Sequence, residues 1–173
     1  MSFVIGIDFG GVLSIHDRTQ NNLIDEHTHT TLNMPNALVS IQKLVDNGHI
    51  LNLISFCGRT RAYETRDSLD NIKHLFDKQY YVKNAMDKGK ICSMIGAHIM
   101  IDDRIDILDS VKLNSPKTIT ILFNTATNEG DTCSNSDNHI SVKNWDEAFN
   151  LIMSLKCNKI HPTGKVNNKL IYN

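Results

Sequence analysis

The sequence predicts one α/β domain with a mainly parallel, three-layer sheet. Three observations carry that expectation. Apolar runs of strand length alternate with helical patterns from end to end, as in Ile50–Ile54, Ile99–Ile101 and Thr118–Phe123. Two such runs end on carboxylates: Phe3-Val4-Ile5-Gly6-Ile7 delivers Asp8 and breaks at Gly10-Gly11, and Ile99-Met100-Ile101 leads into Asp102-Asp103. The chain has 173 residues with 40% hydrophobics, enough to bury a good core within a single domain.

Open α/β sheets bind ligands at the carboxyl ends of their strands. Two acid-tipped strands would therefore gather several carboxylates at one sheet edge. Such groups repel one another unless a hard cation lies between them, and Mg²⁺ is the usual one where phosphate is also bound.

Composition narrows the classes. The net charge is −1, with 18 Lys and Arg against 19 Asp and Glu, so nothing advertises a nucleic acid polymer or an anionic membrane as partner. No apolar run reaches 18 residues, and the start lacks a signal-peptide pattern, which points to a soluble protein. Cys57, Cys92, Cys133 and Cys157 are scattered without a CxxC, which points to free thiols in a reducing, cytoplasmic interior.

Along the chain, the polar stretch Gly10 to Met34 is long for a strand-to-helix connection and reads as a flap, with a hairpin through Thr28–Leu32. Its His16, His27 and His29 lack a fourth ligand at zinc spacing and read as solvated loop residues. Pro35 opens a helix whose apolar residues are Ala37, Leu38, Ile41, Leu44 and Val45, and Asn47-Gly48 ends it. Ile50–Ile54 is a strand stopping at Ser55, and the turn Phe56-Cys57-Gly58 suits a phosphate cradle as well as a simple helix cap.

A helix is expected over Thr60–Phe76, with Tyr63, Leu69, Ile72 and Phe76 inward and Arg59, Arg61 and Arg66 near its start as candidate anion contacts. Gln79–Val82 is a strand, Asp87–Ile95 a helix ended by Gly96, Ile99–Ile101 a strand and Arg104–Val111 a helix. Thr118–Phe123 is a β-branched strand, followed by a polar loop over Asn124–Asn138 and a short strand over His139–Val142. Asn144 and Glu147 form a capping box for a last helix that buries Trp145, Ala148, Phe149 and Ile152. A core over residues 1–156, carrying the flap at 10–34, is thus followed by a tail at 157–173.

Asp8-Phe9-Gly10-Gly11-Val12, Ser55 at a strand end, a lysine in Asp87-Lys88-Gly89-Lys90, and Ile101-Asp102-Asp103-Arg104 resemble the four ordered motifs of the haloacid dehalogenase (HAD) superfamily. The resemblance covers roughly residues 3–110. Ile101–Asp106, then Ile121-Leu122-Phe123-Asn124 and Asn144-Trp145, is similar to the 5′(3′)-deoxyribonucleotidase branch.

The resemblance implies a HAD-like fold with a short flap in place of a full cap domain, and a Mg²⁺-dependent phosphatase of a small phosphorylated substrate. Asp8 would be the nucleophile, forming an aspartyl-phosphate. Asp8, the Gly10 carbonyl and Asp103 would hold the metal, with Asp102 the competing ligand and Asp106 an orienting partner. Ser55 and the Phe56 amide would hold phosphate oxygens. Lys88 would offset the gathered negative charge, with Lys83 and Lys90 as the alternatives.

One position departs from the pattern. Phosphatases of this superfamily usually carry a second aspartate two residues after the nucleophile, and here Gly10 stands there. General acid–base help is typically worth about 10²–10⁴-fold, so turnover requires an undemanding leaving group or an acid from the flap, with Asp17 and His16 the candidates. The rival reading is an impaired HAD-fold protein that binds Mg²⁺ and a phosphorylated ligand or protein partner. A response-regulator receiver would order its acids differently, and no G-x-G-x-x-G follows the first strand to bind a dinucleotide. Cys57 reads as a small packed residue more than a redox thiol.

Overall fold

The computed structural model describes residues 2–15, 32–124 and 138–157. Its centre is a six-stranded parallel sheet with strand order β3-β2-β1-β4-β5-β6. The strands are β1 (Val4–Ile7), β2 (Ile50–Phe56), β3 (Lys78–Val82), β4 (Ile99–Asp102), β5 (Ile119–Phe123) and β6 (Ile140–Val142). The helices are α1 (Ala37–Asp46), α2 (Arg59–Ser68), α3 (Asp87–Ile95), α4 (Ile105–Asn114) and α5 (Trp145–Cys157).

The expected alternation and parallel pairing are both present. β1 sits between β2 and β4, so strand order reverses direction at β1, where such sheets open a ligand crevice. In register, Ile7 lies beside Leu53 of β2 and Ile101 of β4. The next residues along β1 and β4 are Asp8 and Asp102, which therefore lie side by side at the carboxyl edge of the sheet.

One face of the sheet packs Ile5, Ile7, Leu51 and Leu53 against α1 and α5 through Ile41, Leu44, Trp145 and Ile152. The other packs Ile54 and Met100 against α3 and α4 through Cys92, Leu108 and Val111. Each layer follows from the alternation of side chains along a strand and from one apolar stripe per helix.

Several boundaries move. α1 begins at Ala37, after Asn36 in a left-handed conformation, two residues later than Pro35 suggests. Its buried stripe takes Ser40, while Leu38 is 42% exposed. The helix expected over Thr60–Phe76 is two pieces, α2 and a 3₁₀ helix at Asp70–Leu75, meeting at Leu69. Tyr63 is consequently 71% exposed instead of inward, while Leu69, Leu75 and Phe76 are buried. The physical reason is the weak amphipathicity of Arg59–Ser68, whose one buried residue is Thr65.

The capping box of α5 forms with a shifted partner. Asn144 Oδ1 accepts from Glu147 N at 2.9 Å, and Glu147 reaches back to Lys143 N at 2.8 Å. All of the expected Thr28–Leu32 hairpin but Leu32, the histidines of the flap, most of the Asn124–Asn138 loop and nearly all of the tail lie outside the described residues.

Candidate active site

β1 ends at Ile7 and hands on to Asp8, whose amide still donates to the Ile101 carbonyl at 3.0 Å before the chain turns at Gly10-Gly11. Asp8 is 7% exposed, and its Oδ1 accepts from the Phe9 amide at 2.7 Å. The chain then turns: Gly11 adopts φ 74°, and Leu13 N and Ser14 N both donate to the Phe9 carbonyl. A Cβ on Gly11 would collide with the Asp103 carboxylate. Glycine at this position is what lets the β1 turn approach the β4 turn.

Lys88, in the first turn of α3, reaches between the strand ends. Its Nζ lies 2.8 Å from Asp8 Oδ1 and 2.8 Å from Asp102 Oδ2, with the lysine side chain 1% exposed. Asp102 Oδ1 accepts from Arg104 N at 3.1 Å, so both oxygens of that fully buried carboxylate are engaged. Gly89 explains how α3 gets close enough: a Cβ there would lie 2.5 Å from the Ser110 carbonyl of α4. Ser110 Oγ in turn donates to Met86 O at the start of α3, and Asn114 Nδ2 to Ser110 O.

Asp8, Asp102 and Asp103 each offer an oxygen, and these oxygens all lie within 4.8 Å of one another. An all-carboxylate donor set of this size fits a hard divalent cation such as Mg²⁺, not a soft one. Electrostatics point the same way. Burial pushes the Asp8 carboxyl above its ordinary value, Asp103 adds to the rise, and Lys88 pulls against it. Asp102 is pushed up to about 6 by burial, with Lys88 opposing. Burial would lower the Lys88 ammonium, but Asp102 and Asp8 outweigh it and hold the lysine charged. One ammonium thus serves two buried carboxylates with a third nearby, and a bound cation would hold all three ionised.

Of the three candidate lysines, the structure brings only Lys88 to the carboxylates. Lys90 pairs with Asp87 at 2.7 Å on the surface, and Lys83 is exposed. Ser55 is buried at the end of β2, while α2 takes Gly58 as its cap residue with no side-chain cap, so Ser55 does not cap that helix. Phe56 follows it and is 44% exposed. Asp106 binds the Arg104 guanidinium at 2.6 Å, a partner that holds its carboxyl below the usual range.

Among the arginines, Arg66 lies over the Tyr81 ring at 5.3 Å and Arg59 is exposed, while Arg61 is half-buried and near enough to Cys57 to stabilise its thiolate. Burial nonetheless pushes that thiol up, so Cys57 is a packed residue, not an activated one. Asp17 and His16 lie outside the described residues.

Sequence pattern gives Gly11, Gly89 and Trp145 no role of their own in the site; the structure does. The Trp145 indole donates to the Val12 carbonyl at 2.8 Å, tying the turn after Asp8 to α5. A glycine inside a helix, as at Gly89, was a readable signal of close packing.

Comparison with solved structures places this architecture. The fold is similar to D,D-heptose 1,7-bisphosphate phosphatase from B. bronchiseptica, solved with magnesium and phosphate, at TM-score 0.68 and 10% identity over 89% of this chain and 99% of that one. It is similar to the same enzyme from Burkholderia thailandensis at 0.64 and 8%, over 88% and 99% of the two chains. A HAD-superfamily hydrolase from Ehrlichia chaffeensis gives 0.58 and 13%, over 90% and 99%. The chain therefore has the three-layer α/β fold of HAD-superfamily hydrolases. No protein-family model and no curated protein sequence matches it.

Proposed function

We propose that the chain is a Mg²⁺-dependent phosphomonoesterase of small phosphorylated substrates, working through an aspartyl-phosphate on Asp8. The observation that carries this reading is Lys88 bridging Asp8 and Asp102 beside Asp103 at the switch point of the sheet. The B. bronchiseptica neighbour, solved with magnesium and phosphate, supports it.

Asp8, the Gly10 carbonyl and Asp103 would hold Mg²⁺, which would neutralise phosphate charge as a Lewis acid. Asp102 is the less suitable ligand, because Lys88 and the Arg104 amide already engage its two oxygens. The Asp8 carboxylate attacks phosphorus, forming the aspartyl–phosphoryl bond as the bond to the leaving oxygen breaks. Ser55 and the Phe56 amide hold the phosphoryl oxygens, and Lys88 stabilises the charge that accumulates on them. Water then attacks the aspartyl-phosphate, releasing phosphate and restoring Asp8.

Gly10 supplies no proton at either step. Protonation of the leaving oxygen comes from solvent or from Asp17 or His16 of the flap. The likeness of Ile101–Asp106 and Asn144-Trp145 to deoxyribonucleotidases makes nucleoside monophosphates the first substrates to try. Buried Cys57 and Cys92 and exposed Cys157 are all free, which suits a cytoplasmic setting.

Gly10 also favours a second reading, a scaffold that binds Mg²⁺ and a phosphorylated ligand or protein partner with little turnover. Phosphate release from nucleoside monophosphates, sugar phosphates and a nitrophenyl ester, with wild type, Asp8→Asn and Gly10→Asp, separates the two. Mg²⁺-dependent release that vanishes in Asp8→Asn supports the enzyme. A silent wild type with an active Gly10→Asp supports the scaffold.

A further inference from the structure

At the opposite end of the sheet from the carboxylates, a cavity of about 310 Å³ opens between the starts of β1, β2 and β3 and the last turn of α3. Its walls include Ile50, Tyr80 and Met94, and Asp77 and Lys78 stand exposed among the lining residues. Asn52 lines it as well. Asn52 lies mid-strand in β2, between Gly6 of β1 and Lys78 of β3, and is 2% exposed. Its amide makes no hydrogen bond to any described residue.

Asn52 is a nearly buried primary amide in a strand whose neighbouring positions, Leu51, Leu53 and Ile54, are hydrophobic, and because it lines the cavity its hydrogen bonds go to whatever occupies that cavity. The amide is explained if the cavity supplies its partner. An Asn side chain presents an acceptor and a donor side by side, the pattern that pairs in bidentate fashion with the N6/N7 edge of a purine. The remaining walls suit a flat ring: Tyr80 is aromatic, Met94 offers a polarisable thioether, and Ile50 is branched and apolar. The volume lies at the lower end of the range for small-molecule pockets.

We propose that this cavity is a second small-molecule site, taking a planar heterocycle of purine type whose adjacent donor and acceptor pair with the Asn52 amide. The site is separate from the carboxylate cluster: Asn52 precedes Ser55 by three residues along β2, about 10 Å. Asp77 and Lys78 are placed to meet polar substituents on the ring, such as sugar hydroxyls.

Calorimetric titration of the full chain with adenine and adenosine tests this, with indole as a flat ring of similar size lacking the paired edge. Saturable binding of adenine and adenosine is expected, with indole weaker by about ten-fold or more. Asn52→Leu, checked for folding by circular dichroism, should weaken adenine by a similar factor. Met94→Ala, at a position 63% exposed and so tolerant of change, should weaken it several-fold. Asp8→Asn should leave it unaltered. Absence of saturable binding overturns the proposal, as does binding that survives both Asn52→Leu and Met94→Ala, or binding that is lost in Asp8→Asn.

Discussion

Lys88 Nζ and Asp102 Oδ2 lie 2.8 Å apart with both side chains essentially out of solvent. A buried ion pair adds little net stability when intact, but removing one partner strands the other charge. Lys88→Met would strand two carboxylates, Asp8 and Asp102, and should destabilise the metal-free protein by about 3–5 kcal/mol in urea unfolding. Mg²⁺ should recover part of that loss, because it offsets the same charges.

Gly11→Ala is expected to separate metal binding from folding. The left-handed φ at Gly11 costs an L-residue about 1–2 kcal/mol, and the added methyl displaces the Asp103 carboxylate. The variant should still melt cooperatively, with the rise in Tm on adding Mg²⁺ largely lost. An unchanged Mg²⁺ response would remove Asp103 from the metal site.

Gly89→Ala should run against helix propensity. Alanine favours a helix over glycine by about 1 kcal/mol, yet here its Cβ meets the Ser110 carbonyl and Asn114. Overpacking of that kind costs about 1–3 kcal/mol. Because the residue beside it is Lys88, kcat should fall more than KM changes. Wild-type kcat in Gly89→Ala would show that the α3–α4 contact does not position the lysine.

His49 should make stability sensitive to mild acid. Its Nδ1 accepts from the Phe3 amide at 3.1 Å and its ring stacks on Phe3 at 5.4 Å. Burial holds its pKa below the ordinary value, with Lys156 and the amino terminus adding to the effect. The unfolded chain therefore binds the proton first. Stability from this group is present above about pH 6.5 and declines as pH falls from there toward the folded value. Chemical denaturation across that window should show a shallower slope in His49→Gln than in wild type.

Much of the architecture was legible because it rests on local pattern. The acid-tipped strands, the lysine-bearing helix ended by Gly96 and the capped last helix each carry their signal in a few adjacent residues. What was illegible depends on tertiary contact. The break at Leu69 comes from a helix with little apolar face to hold it, and Tyr63 turned outward with it. Lys88 could not be separated from Lys90 by spacing alone; the approach of α3 to α4 at Gly89 decides between them. Which oxygens of Asp102 are engaged is set by Lys88 and by the turn at Arg104, neither of which a linear string displays. Asn52 gave no periodic signal, because one polar residue inside an apolar strand reads as noise until the cavity beside it is seen.

In the proposed reaction Asp8 takes up the phosphoryl group, and Gly10 offers a direct way to observe it. Without an acid–base side chain at that position, hydrolysis of the aspartyl-phosphate should be slow, so the intermediate should accumulate. Protein incubated with Mg²⁺ and a reactive phosphomonoester, quenched in acid and mapped by mass spectrometry, should carry a phosphoryl group on the peptide containing Asp8, and Gly10→Asp should show less of it. Phosphate release that persists in Asp8→Asn, with no adduct on the wild-type peptide, would rule out Asp8 as the nucleophile.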